Sequence, residues 1–146
     1  MKKIGTSEYL LSYFDILGYK NIINNLSESE ESKLISDINN IIKKANRYNK
    51  KYGREWYLKT YSFSDNFLLV MKIESKGTIF NSFVLFLGIL QEIQYEMVIN
   101  YGLFIRGSIV KGQVYAGNNF VYGKGLINAY EIENKIAIFP RIIIDK

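Results

Sequence analysis

The 146 residues are enough for one domain, and 48% hydrophobic residues with 15% aromatics supply a core. The chain has no cysteine and no histidine, which excludes disulfides, thiol chemistry, histidine-ligated metals and histidine bases. Catalysis would therefore need carboxylates, metal ions, Lys, Arg or backbone amides. The net charge of +5 suits a polyanionic ligand without choosing between a nucleotide and a nucleic acid.

Apolar periodicity and turn residues predict alternating strands and helices along the whole chain. In chain order they are a strand over 8–15, helices over 20–26 and from 27 onward, strands over 55–61 and 67–73, a helix over 78–100, strands over 103–110, 113–116 and 120–122, a helix over 125–135 and a strand over 141–144. This order predicts a single α+β domain over 1–146, a ferredoxin-like antiparallel sheet with helices on one face.

Targeting signals are not evident in the sequence. The N-terminus lacks the apolar region of a signal peptide, and the longest apolar stretch, around 79–90, is too short for a bilayer span. We therefore expect a cytoplasmic protein without membrane insertion. The basic end of the second predicted helix is interpreted as a solvated face, so no nucleic-acid partner is expected.

Two aspartates lie where metal-dependent phosphoryl chemistry would need them. Asp15 ends the first predicted strand, and Asp65 lies in the turn between the second and third strands. A strand end and a hairpin turn can bring two carboxylates together, and such a pair beside a polyphosphate binds Mg²⁺ or Mn²⁺. The alternative is that Asp15 caps the following helix and Asp65 is an ordinary turn residue.

Four strings in order resemble the class III nucleotidyl cyclase catalytic domain. They are Asp-Ile-Leu-Gly-Tyr (15–19), Ser-Asp-Asn (64–66), Arg-Gly-Ser-Ile-Val-Lys-Gly-Gln-Val (106–114) and Gly-Lys-Gly-Leu-Ile-Asn-Ala-Tyr-Glu-Ile-Glu (123–133). Ser64 replaces the glycine that the family usually has in the second string.

The resemblance implies a reaction and a set of roles. The implied substrate is a nucleoside triphosphate, with two Mg²⁺ or Mn²⁺ ions per site. The implied metal ligands are Asp15, Asp65 and the carbonyl of Ile16. Phosphate contacts are implied for the start of the following helix, at Gly18, Tyr19 and Lys20, and positive charge for Arg106 or Lys111.

Two departures from the family pattern concern the base. Tyr61 stands where purine cyclases read the base with Lys or Glu, and Lys124 stands where they commonly have Asp. A tyrosine there is similar to the pyrimidine cyclases of the Pycsar anti-phage systems. The resemblance therefore implies UTP or CTP as substrate and a cyclic UMP or CMP messenger read by a separate effector. Alternatively, Tyr61 only packs in its strand.

The transition-state residues also depart from the pattern. Asn128 falls one step later than the family asparagine, and Glu131 stands in place of the family arginine. Asn128 is the candidate catalytic amide; alternatively, it is a polar residue on the helix surface. Family domains usually continue further, so the sequence fits a truncated domain or a shortened member. The family also implies a head-to-tail homodimer with sites at the interface.

Three other functions stay open. A degenerate cyclase-like domain would sense a nucleotide without turnover, and a purine cyclase would act on ATP or GTP. A basic ferredoxin-like domain would bind nucleic acid, with an affinity that falls steeply with salt.

Overall fold

The computed structural model describes residues 5–51, 58–73, 77 and 79–145, so the first three residues of the strand predicted over 55–61 lie outside it. Its elements in chain order are β1 (Ser7–Leu17), α1 (Tyr19–Ile23), α2 (Glu28–Lys51), β2 (Leu58–Phe63), β3 (Asn66–Lys72), α3 (Ile79–Tyr101), β4 (Phe104–Ala116), β5 (Val121–Tyr122), α4 (Lys124–Lys135) and β6 (Ile142–Ile144).

The described strands form one six-stranded sheet in the order β2-β3-β1-β4-β5, with β6 also paired to β4. All pairings are antiparallel except β4 with β6, which is parallel. β1 lies in the middle, between β3 and β4, which explains its nearly continuous apolar run. The order β2-β3-β1-β4 is that of the ferredoxin-like plan, and the predicted α+β class is confirmed.

Successive side chains of β1 point to opposite faces of the sheet and belong to two separate cores. Leu10 and Phe14 join a core with Phe86 of α3, and α2 also packs there. Leu11 lies on the opposite face of the sheet, in a second core. α4 covers that second face, where Ala129 packs in a cluster with Val110. The structure thus differs from the prediction that all helices lie on one face, because both faces of β1 are apolar and both need cover.

β4 runs unbroken through Gly112, where the sequence analysis divides it into two strands. An added Cβ at Gly112 would lie 2.6 Å from the Cα of Gly125 in α4. Glycine is therefore needed here for the close approach of a helix and a strand rather than for a turn.

α3 is longer than the apolar stretch from which a membrane span was excluded. It has 23 residues and is apolar enough to cross a bilayer by length and composition. Its side chains Phe86, Ile89, Leu90, Ile93 and Met97 are buried within the fold. Core helices of water-soluble proteins pass the same test, so α3 alone is weak evidence for a membrane span.

Candidate active site

Asp15 and Asp65 come together at one end of the sheet. The register of β1 and β3 pairs Asp15 with Asn66, and the amide of Ile16 donates to the carbonyl oxygen of Asp65 at 3.1 Å. Asp65 lies in the two-residue loop between β2 and β3. The backbone of the strand end and that of the hairpin turn therefore meet as expected.

The hairpin loop accounts for the family glycine that this chain lacks. Ser64 has φ of 57°, in the left-handed region, and it is the first of the two loop residues. A tight hairpin with positive φ at that position favours glycine, so Ser64 adopts this conformation at a cost of about 1 kcal/mol.

Arg106 is the direct partner of Asp15. The two residues face each other across β1 and β4. Nε of Arg106 lies 2.9 Å from Oδ1 and 3.2 Å from Oδ2 of Asp15, and Nη2 lies 3.0 Å from Oδ2. Hydrogen bonding to Asp15 is the main cause that raises the pKa of Arg106. The positive charge predicted for a polyphosphate is therefore engaged within the chain.

Glu133 is a site residue to which the sequence analysis assigned no role. It projects from α4, is 4% exposed, and its Oε1 lies 3.0 Å from Nε of Arg106. Burial raises the pKa of its carboxyl, Asp15 and Asp65 raise it further, and Arg106 opposes them. The sequence signals were its place at the end of the string 123–133 and its spacing of four residues from Ala129, which puts both on the same helix face.

A groove of about 250 Å³ begins beside the aspartates. Its lining residues are Tyr13, Tyr61, Ser62, Phe63, Asn66, Phe67 and Leu68. Tyr61 pairs with Leu68, and its hydroxyl donates to the carbonyl oxygen of Gly117. The hydroxyl of Tyr13 donates to Oδ1 of Asn66 at 2.8 Å. The groove thus offers aromatic rings and amide or hydroxyl groups.

Residues 16–20 lead from the aspartates into α1. The Ile16 side chain is buried in the first core. It has no ligating atom, so only the backbone carbonyl of Ile16 could bind a metal. Gly18 has φ of 82° and caps α1, and its carbonyl accepts from the amides of Asn21 and Ile22. The first amides of a helix have no partner within it, so phosphate contacts at Tyr19 and Lys20 stay a prediction.

Lys124 and Asn128 are not brought to the aspartates within one chain. Lys124 starts α4 after Gly123, whose added Cβ would lie 2.5 Å from the carbonyl oxygen of Gln113. Gln113 pairs with Glu8, at the other end of β1 from Asp15. Asn128 donates from Nδ2 to Oδ2 of Asp145 at 2.8 Å. Lys111 forms an ion pair with Glu8 at 3.4 Å, also away from the site.

Asp15 and Asp65 suit a cation whose remaining ligands come from the substrate. Within the described part of the chain, no three acidic residues are grouped closely enough to hold a metal ion alone. Mg²⁺ typically uses one or two carboxylates plus substrate phosphates, which two neighbouring aspartates satisfy. Asp15 and Glu133 share one guanidinium here and the charge of Asp65 also acts on it, so the local charge favours a further cation.

The chain has a cyclase-like α+β fold. The chain is similar to the crystal structure of the adenylyl cyclase CyaB from P. aeruginosa, with a TM-score of 0.69 and 16% identity, covering 95% of this chain and 76% of that one. At this identity the likeness concerns the fold. No family model and no curated protein matches the sequence.

Proposed function

We propose that this protein is a metal-dependent nucleotidyl cyclase that converts UTP or CTP to the 3′,5′-cyclic monophosphate and diphosphate. The observation that carries the proposal is the meeting of Asp15 and Asp65 at the end of β1, beside a groove with aromatic walls. The similarity in fold to an adenylyl cyclase supports the reaction class.

The reaction joins the ribose 3′-oxygen to the α-phosphorus and breaks the bond from that phosphorus to the bridging oxygen, with diphosphate leaving. The hydroxyl proton passes to water. Bound Mg²⁺ or Mn²⁺ would lower the pKa of the 3′-hydroxyl and neutralise phosphate charge. Asp15 and Asp65 would hold the ions, with the carbonyl of Ile16, and the first amides of α1 would receive phosphate oxygens.

The base occupies the groove in this proposal. The hydroxyl hydrogen of Tyr61 is engaged with Gly117, so Tyr61 acts through its ring, by stacking and by limiting the depth of the pocket. Ser62 lines the same groove and supplies a hydroxyl for a base edge. The Asn66 amide accepts from Tyr13 and donates to Asp65, which leaves one amide hydrogen for the base. This arrangement favours a pyrimidine, which is smaller than a purine.

The decisive experiment incubates the purified protein with ATP, GTP, CTP and UTP separately in Mn²⁺ and identifies products by mass spectrometry. We expect a cyclic pyrimidine monophosphate, reduced at least about a hundredfold in Asp15→Asn and Asp65→Asn because each removes a metal-binding carboxylate. Asp37→Asn is the matched control, because Asp37 lies on α2 against the opposite face of the sheet and bonds Tyr101. A cyclic purine product would reject pyrimidine specificity, and unchanged activity in both site variants would reject the site.

A head-to-tail homodimer is part of the proposal: Asn128 and Lys124 lie away from the aspartates of their own chain, and a second copy would bring them there. Exposed apolar side chains on and before α4, among them Ile127, Tyr130 and Tyr122, support an interface on that face. Mixing inactive Asp65→Ala with inactive Asn128→Ala should restore about a quarter of the wild-type activity, because half the dimers are mixed and each has one intact site. No recovery on mixing would reject sites shared between copies.

The anti-phage role belongs to the same proposal. The product would act as a messenger read by a separate effector protein. Cells carrying the wild-type gene should accumulate the cyclic pyrimidine nucleotide on phage infection, whereas cells carrying Asp65→Ala should not. Equal levels with and without phage would reject this role.

One observation favours a second candidate, a nucleotide-sensing domain without turnover. Both carboxylate oxygens of Asp15 accept hydrogen bonds from Arg106, which competes with a metal. Thermal stabilisation by a nucleotide, with no product after hours in Mn²⁺, would favour this candidate over the cyclase.

A further inference from the structure

Arg106 lies between two carboxylates that come from different elements. Asp15 reaches it from β1, and Glu133 reaches it from α4. The side chains of Asp15 and Glu133 are 14% and 5% exposed, so water compensates little for either charge. The position of one guanidinium therefore decides which carboxylate is neutralised.

Arg106 does not divide its hydrogen bonds equally between Asp15 and Glu133. Nε has one hydrogen, which is directed to Asp15, and Nη2 also donates to Asp15. Oε1 of Glu133 lies at ion-pair distance from Nε, yet it is buried and accepts no hydrogen bond. A buried carboxylate oxygen without a donor is costly, so Glu133 would be stabilised if the guanidinium turned toward it. A cation bound to Asp15 would then replace the hydrogen bonds that Asp15 gives up.

We propose that Glu133 is the alternative acceptor for Arg106: the guanidinium pairs with Asp15 when no cation is bound and turns onto Glu133 when Asp15 takes a divalent cation. The inference rests on the proposed function, because it requires Asp15 to bind a cation. Glu133 is then a positioning residue, which frees Asp15 without leaving a bare guanidinium beside the ion.

Cation affinity gives the first test. Free Mn²⁺ measured by electron paramagnetic resonance yields the dissociation constant of the full chain. Glu133→Gln should weaken Mn²⁺ binding about tenfold or more, because Arg106 loses its charged acceptor and stays on Asp15. The matched control is Glu131→Gln on the same helix, where Glu131 pairs with Lys135 at the surface, and it should change the affinity less than about twofold.

The side chain of Arg106 gives the second test. Its Nε–H signal in a ¹⁵N spectrum is identified as the one missing from Arg106→Lys. Mg²⁺ alone should shift this signal in the wild type, and much less in Glu133→Gln. Because Glu133→Gln removes a buried charge while keeping the shape of the side chain, it should fold, which keeps the comparison valid.

The outcomes separate the inference from the function on which it rests. Mg²⁺ binding that leaves the Arg106 signal unmoved, or equal weakening by Glu133→Gln and Glu131→Gln, would overturn the inference while metal dependence stands. Wild-type protein that binds neither cation would reject the metal-dependent function and the inference with it. A shifted signal, together with weakening confined to Glu133→Gln, would establish the exchange.

Discussion

Removal of the Arg106 charge should destabilise the fold through Glu133. Arg106→Gln leaves a carboxylate that is 4% exposed without its cation. At 3.0 Å and an effective dielectric constant of about 20, the lost attraction is about 5 kcal/mol, and breaking a buried pair costs about 3–5 kcal/mol. Because Arg106 is partly exposed, we expect about 3 kcal/mol at pH 8, a large part of the stability of a domain this size.

The stability lost in Arg106→Gln should become smaller as the pH falls. Burial raises the pKa of Glu133 above its ordinary value of 4.5, and Arg106 opposes that rise. A carboxyl whose folded pKa is raised gives its full stability below the unfolded pKa and loses it as the pH rises through the folded pKa. The difference between wild type and Arg106→Gln should therefore shrink from pH 8 to pH 5.

Urea unfolding followed by circular dichroism, in EDTA, measures both effects. The double variant with Glu133→Gln removes the buried charge and should recover most of the loss. A loss below about 1 kcal/mol at pH 8, or a double variant no more stable than Arg106→Gln alone, would refute the reasoning.

Two further predictions concern stability. Gly112→Ala should lower the free energy of unfolding by about 1–3 kcal/mol, because the new methyl would meet the Gly125 backbone. Gly88→Ala, on an open face of α3, should raise it by about 0.5–1 kcal/mol. Urea unfolding should show these opposite signs, and equal effects would contradict the close-approach argument. Glu30 accepts from the amide of Ser27 at 2.9 Å, and its bonds to Ser27 lower its pKa. The stability that these bonds give is therefore present above the unfolded-state pKa of Glu30 and is lost as the pH falls through its folded-state pKa. Glu30→Gln should flatten the loss of stability between pH 6 and pH 3, and an unaltered slope would count against this cap.

The elements were predictable from the sequence where a local pattern decides them. The periodic apolar residues of α3 and the continuous apolar run of β3 gave their types and approximate bounds. The split assigned to β4 was wrong, because Gly112 indicates a turn until Gly125 is known to lie against it. That contact depends on the docking of α4, which no local pattern encodes.

The site was predictable only in part for the same reason. Asp15 and Asp65 follow from a strand end and a hairpin, both of which are local. The role of Glu133 depends on the β1–β4 register and on the helix face that α4 buries. Glu131 and Glu133 are acids two residues apart on one predicted helix, yet one is at the surface and the other is in the core.

The short strands β5 and β6 have a consequence for association between chains. β4 has 13 residues and would otherwise present a long open edge, but β5 pairs with its end and β6 with Gly107–Ile109. At the opposite side of the described sheet, β2 has only six residues, and a short edge strand offers little for strand addition. Neither border offers a long flat template, so self-association through stacked strands is disfavoured and helical or loop surfaces are left for contacts between copies.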